Sequence, residues 1–433
     1  MKPRRRFAPL RLGSARIPTR RIPGTPQRVA PPRSARYSTI MRSLSFATAC
    51  FIGLAIPGAA FCQDTPIAEP RATMHQVFEA LSILLPASLS EGALRDPEQR
   101  DRYQIEFERL AQATGRLADH GVQRDEVFQT LSRSLEDDAE DAASLYARGR
   151  VEEASFQLQQ LTGRCVACHA RVPSAREFPL AERLMSRTQV NELSPEERAR
   201  LYVATRRFDS ALGTWEALFD LPTSSPAWLD RGGQLIDYLT VAVRVTQEQV
   251  RAAATLRKLS QRSDTPAYLK SRLGRWAESL EVAPKTDPGA QGSERRIAEA
   301  KAFLARAESM SDFPSARDGL VDELRASALL QQYVDANHAT PRPAVQLAEA
   351  FYLLAVIEAR TAWSYWIPQT ESYMEAALRA APKGPRAEQA YERIEETLLI
   401  DYGAATAAEL PDLERDRLKA LRELMGRAGE VAT

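Results

Sequence analysis

The chain has 433 residues, enough for two or three cores, and its 44% hydrophobic and 27% charged content exclude a disordered chain and a multispanning membrane protein. The net charge of +1 averages two unlike regions: residues 1 to 62 hold Lys2, eleven arginines and no carboxylate, and the rest sets 46 basic against 57 acidic residues, a charge of −11. An acidic body repels phosphate backbones, so no nucleic-acid partner is expected.

Residues 1 to 40 are rich in Arg and Pro and show no periodicity. From Met41 the text reads MRSLSFATACFIGLAIPGAAFC: one Arg, an apolar run, a Pro57-Gly58 break and small residues. That is the layout of a secretory signal peptide, with cleavage after Ala60 or Cys62. Residues 1 to 40 are then either a disordered basic extension or lie upstream of the true start at Met41. The apolar run stops short of the roughly 20 residues a membrane span needs, so the mature chain is expected to be periplasmic and without an integral span. Phe61-Cys62 departs from a lipoprotein cleavage site in its bulky Phe, and lipid attachment is not expected.

Past Asp64 the chain reads as all-α, with apolar residues recurring at three and four and no sustained alternation. The first helix starts at the N-cap Thr73, carries Met74, Val77, Phe78, Leu81 and Leu85, and is kinked or ended by Pro86. The second opens on Asp96-Pro97-Glu98-Gln99, a cap, a proline at the first helical position and a Gln set for a capping box. Its stripe runs from Tyr103 through Phe107, Leu110 and Leu117 to a close at Gly121. A third follows from about Asp125, with Val127, Phe128, Leu131, Leu135 and Tyr146, and stops near Gly149; Asp138 interrupts its stripe and predicts a break there. The fourth runs from Val151 through Ala154, Leu158 and Leu161 into Cys165, and Pro173 limits it. Four amphipathic helices with short connections predict an up-down-up-down four-helix bundle.

Beyond residue 180, Leu201 to Phe208 with Ala211 to Phe219 reads as a helical hairpin of tetratricopeptide type, and Ala348 to Trp366 with Glu371 to Arg379 as another. The spacing is irregular, so this is a TPR-like α-helical repeat region rather than a regular 34-residue array. Ala283 to Gly292 is the best internal linker. The expected organisation is an extension with signal over 1-62, a bundle over 64-176, hairpins over 177-282, a linker over 283-292 and a C-terminal helical domain over 293-433.

Of the four cysteines, Cys50 and Cys62 fall in or beside the signal, leaving Cys165 and Cys168 in Cys165-Val166-Ala167-Cys168-His169. C-x-x-C-H is the attachment sequence for haem c. On a helix, positions i, i+3 and i+4 share a face, so two thiols can bond the haem vinyl groups while His169 supplies an axial iron ligand. A signal peptide fits, because this attachment follows export. A structural zinc site needs four ligands and finds no second Cys pair. A thioredoxin-type pair would sit between a strand and a helix. A bare disulfide leaves His169 idle.

With this motif near the end of a fourth helix, residues 73 to 173 resemble the cytochrome c-prime family. The resemblance implies a single covalent haem held by His169 on one side. It also implies, on the other side, either an apolar shield over a vacant iron position or a sixth ligand, often Met, from the first helix. Members of the vacant type bind small gases such as NO or CO. In an up-down-up-down bundle the end of the fourth helix lies beside Met74, His75, Phe78, His120, Val127 and Phe128. Met74 or His75 could then be a distal ligand, or His75 or His120 could bond a haem propionate. Alternatively, Met74 is core and both histidines are solvated helix-end residues. Arg164, Arg171 and Arg176 are candidate propionate partners, Arg171 first because family members carry a basic residue shortly after the motif.

Trp363, Tyr365, Trp366 and Tyr373 read as a core between paired helices or as a recognition surface, and the acidic run Glu136 to Asp141 as a solvated face or a docking patch for a basic redox partner. No nucleophile elbow, phosphate loop, zinc-protease helix or dinucleotide fingerprint occurs, so nothing argues for an enzyme beyond the haem site. Three functions remain open: an electron carrier whose repeats dock a redox protein, a five-coordinate gas-binding module, and a scaffold stabilised by its haem.

Overall fold

The computed structural model describes residues 68–90, 92–121, 126–171, 181–187, 190–282, 292–310, 317–338, 342–361 and 369–427. The expected basic extension and signal peptide lie outside them, as do residues 283–291 of the expected linker, Arg176, and Trp363, Tyr365 and Trp366. Among the described residues every regular element is helical.

Four long helices come first: α1 (Ala68–Leu89), α2 (Arg100–Gly121), α3 (Glu126–Ala147) and α4 (Val151–His169). α1 begins five residues before Thr73 and carries Pro86 inside its last turn. Only one backbone hydrogen bond is lost to a proline placed there, so the helix survives three more residues before it ends. Asp96 accepts from the Glu98 backbone N–H at 3.0 Å and starts a short 3-10 turn that leads into α2. Its bond goes to the second position rather than the third, and Gln99 instead accepts from Arg102, so the expected capping box is replaced by a simple cap.

α3 is continuous through Asp138. The expected break is absent because that carboxylate faces α4, where it accepts from Gln157 at 2.9 Å and from Arg164 at 2.8 Å. α3 closes in a Schellman turn, with Gly149 at φ 75° and bonds from Gly149 to Tyr146 and from Arg150 to Leu145. The first four helices pack in sequence, α1 on α2, α2 on α3, α3 on α4, and α4 returns to α1. Val77, Leu84, Phe107, Leu110, Leu158 and Leu161 fill the core between them. Fully burying one such side chain contributes about 1.5–3 kcal/mol.

A short α5 (Ala181–Arg187) lies against α1, where Leu184 and Met185 cover Phe78 and Leu85. There follow α6 (Pro195–Ala204), α7 (Phe208–Asp220), α8 (Pro226–Arg231), α9 (Gln234–Leu239), α10 (Gln249–Gln261) and α11 (Ala267–Glu281). The last group is α12 (Gly292–Ser309), α13 (Leu320–Asp335), α14 (Ala344–Thr361), α15 (Thr370–Ala380), α16 (Ala387–Tyr402) and α17 (Asp412–Arg427). Successive helices pair as α6 with α7, α10 with α11, α12 with α13 and α14 with α15. The first hairpin breaks at Arg206 rather than after Phe208, which opens α7 instead.

These later helices form two cores, and both reach α4. Val166 and Ala170 join the core built around Trp215, Tyr238 and Trp276. Ala167 joins, with Val127 and Leu131 of α3, the core built around Tyr333, Phe351 and Tyr373. The last turn of α4 is therefore wedged between them.

Candidate haem-attachment site

α4 carries the whole motif in helical conformation, which sets Cys165, Cys168 and His169 at the spacing that shares a face. Its end is closed by the Ala170 N–H, which donates to the Val166 carbonyl at 2.9 Å. Both thiols are half-buried and not joined to each other. Burial pushes the Cys165 thiol up to about 12, and the neighbouring Cys168 pushes the same way.

His169 Nδ1 lies 2.8 Å from the Ala204 carbonyl oxygen. A carbonyl only accepts, so Nδ1 carries the proton and donates it, leaving Nε2 as the bare nitrogen of a neutral ring. The ring is held neutral: burial, then the positive charge of Arg206, lower its pKa to about 4, against the smaller opposing effect of the Ala204 bond. The acceptor is the last carbonyl of α6, one of the four that a helix leaves without an internal partner.

Cys165, Cys168 and His169 line a small cavity among the first four helices. α1 contributes Met74 and Val77, α2 contributes Leu117, and α3 contributes Phe128, Leu131, Ser132 and Leu135. The cavity is small, about 40 Å³, far below the size of a porphyrin, so a haem enters only if the side chains lining it give way. The chemistry of the donor set nonetheless fits a haem: two thiols and a neutral imidazole line a largely apolar cavity. α4 supplies four of the lining side chains, Arg164 and the three of the motif. No group of three or more His, Cys, Asp or Glu among the described residues converges as a bare metal site.

The expected neighbours divide. Met74 and Phe128 line the cavity. Phe78 instead packs with Leu184 and Leu201, and Val127 with the C-terminal core. His75 is exposed and His120 half-buried, and neither belongs to the cavity wall. Arg164 reaches the cavity with its guanidinium held by Asp138. Arg171 is only 5% exposed and sits with its guanidinium 6.0 Å from the Tyr373 ring centre, so it faces the C-terminal core rather than the cavity. Burial raises the Tyr373 phenol to about 12 although Arg171 pulls it down, and Gln331 donates to its oxygen. Gln369 on the same helical approach donates to the Ala167 carbonyl inside the motif at 3.4 Å.

Sequence reasoning missed Val77, Leu117, Leu131, Ser132 and Leu135 as cavity residues, although all but Ser132 were already on the apolar stripes. It also missed Ala204 and Gln369, which no local pattern connects to the motif. Among the described residues no helix is long and apolar enough to cross a membrane. Comparison with protein-family models, with curated proteins and with solved structures finds no match.

Proposed function

We propose that this chain is an exported monohaem c-type cytochrome that acts in electron transfer, its first four helices an up-down-up-down bundle of the cytochrome c-prime kind. The observation that carries the reading is the His169 imidazole. Its Nδ1–H is committed to Ala204 at 2.8 Å, and its bare Nε2 belongs to a ring that shares the cavity with both motif thiols. Cys165 and Cys168 would hold the haem through thioethers, and His169 would bind its iron. A haem so held supplies a reversible one-electron Fe(III)/Fe(II) couple. The chain's own contribution is to tether it, to keep the imidazole neutral and in one tautomer, and to surround it with apolar side chains that keep water away.

The TPR-like helices from α6 onward are, on this reading, the docking surface for a redox protein in the periplasm. A second reading, binding of NO or CO at a five-coordinate iron, is favoured by what α1, α2 and α3 bring to the cavity: Val77, Leu117, Phe128, Leu131 and Leu135 offer no ligand, and Met74 brings the one sulfur beside the Ser132 hydroxyl.

The test is production of the mature chain in a host able to attach haem c. The expected product is coloured, heavier than the polypeptide by one haem, and recovered from the periplasm. A colourless product with the bare mass overturns the reading. Spectra with and without CO then separate the two functions: rapid CO binding to a high-spin ferrous form favours gas binding. A low-spin form that turns high-spin on Met74→Leu favours the carrier.

A further inference from the structure

The turn after α6 has an unusual backbone. Arg206 adopts φ 61°, the left-handed region where glycine is the usual occupant and where a side chain costs energy. Around it the chain forms a Schellman turn, with the Arg206 N–H donating to Val203 at 3.0 Å and the Arg207 N–H to Tyr202 at 2.8 Å. Thr205 N–H takes the Leu201 carbonyl at 3.0 Å. These three bonds occupy the carbonyls of residues 201, 202 and 203. The Ala204 carbonyl is not among them, and it is the one that receives the His169 proton.

We infer that the left-handed turn at Arg206 is the positioning device for the axial histidine: it caps the three preceding carbonyls and holds the fourth toward His169 Nδ1, so the helices that follow α4 fix the orientation and tautomer of that imidazole. The inference rests on the haem reading above for its consequence, but not for its geometry, which belongs to the polypeptide. A carbonyl that accepts from Nδ1–H raises the electron density at Nε2. That favours the ferric state, so an intact turn keeps the reduction potential lower than a disrupted one. The bond spans two parts of the chain 35 residues apart, so the potential becomes a property of how α6 docks on α4.

Two substitutions separate the backbone from the side chain. Arg206→Gly and Arg206→Val both remove the guanidinium, but glycine accepts the left-handed conformation and a β-branched residue strongly resists it. In the haem-free full chain, ¹⁵N NMR of the His169 ring is expected to show the Nδ1–H tautomer in the parent and in Arg206→Gly. Arg206→Val should show a mixture of tautomers with faster Nδ1–H exchange. In the haem-loaded protein the Val variant is expected to have a higher reduction potential than the Gly variant. Circular dichroism checks that both variants fold. An unfolded Val variant is replaced by Arg206→Thr, which resists the same conformation for the same reason. Equal tautomer ratios in folded Gly and β-branched variants overturn the inference while leaving the haem reading intact. A chain that never acquires haem, yet shows the tautomer difference, sinks the haem reading and keeps the positioning role.

Discussion

The grouping of His169 with the two thiols was legible in sequence, because a histidine directly after the second cysteine of the pair shares their helical face. Its acceptor was not legible. Ala204 has no polar side chain, and its carbonyl is available only because of how a different helix ends. The ring's burial has a consequence for the haem-free chain. In the unfolded state the imidazole protonates near its ordinary 6.5, whereas in the folded state it protonates near 4. Between those values the unfolded chain binds more protons, so stability is full above about pH 6.5 and falls as pH drops toward 4. The shift limits the effect to about 3 kcal/mol. Urea unfolding of the haem-free chain at several pH values should show this slope, and His169→Gln should flatten it. A His169→Gln variant with an unchanged slope would assign the acid sensitivity to other groups.

At the scale of elements, the helices whose ends carry explicit chemistry were the ones read correctly from sequence. α4 begins at the expected Val151, right after the turn closed by Gly149, and α2 follows the Asp96 cap, because caps and left-handed glycines act locally. α1 was misplaced by five residues because Thr73, though a good cap by composition, is buried inside the helix. Asp138 misled for the opposite reason. A charge on an apolar stripe suggests a break only if its partner is unknown, and its partners lie 19 and 26 residues on. Asp138→Ala removes the acceptor shared by Gln157 and Arg164 at a half-buried junction of α3 and α4, and should cost about 1–3 kcal/mol. Because Arg164 lines the cavity, its release should also change the surroundings of the site. Thermal melts would check the first effect; a melting temperature equal to the parent's would show the carboxylate to be dispensable.

At the scale of the molecule, the helical character of the described residues was evident from periodicity, but the joining of their parts was not, since those contacts lie far apart in sequence. The clearest joint is Arg244 with Glu358, each less than a tenth exposed, which links residues 240–245 to α14 across 114 positions. One partner belongs to the stretch that supplies the core covering Val166, and the other to a helix of the core covering Ala167. The pair thus ties together the two bodies that grip the last turn of α4. Each charge in such a place offsets the other's desolvation cost, so Glu358→Ala removes the carboxylate that pairs with the buried Arg244 and should cost about 3–5 kcal/mol. Replacing both, as in Arg244→Met with Glu358→Leu, should recover most of that loss or exceed the parent, because apolar packing carries no desolvation penalty. Chemical denaturation of the two variants is the check. If the double replacement is as unstable as the single one, the ion pair holds the cores in register by geometry that packing cannot replace. Parting of the cores in the single variant should also uncover the motif, so Cys165, held at a pKa of about 12 in the haem-free parent, should react faster with a maleimide. Faster alkylation in Glu358→Ala but not in the double variant would trace the protection of the thiols to the seam between the two cores.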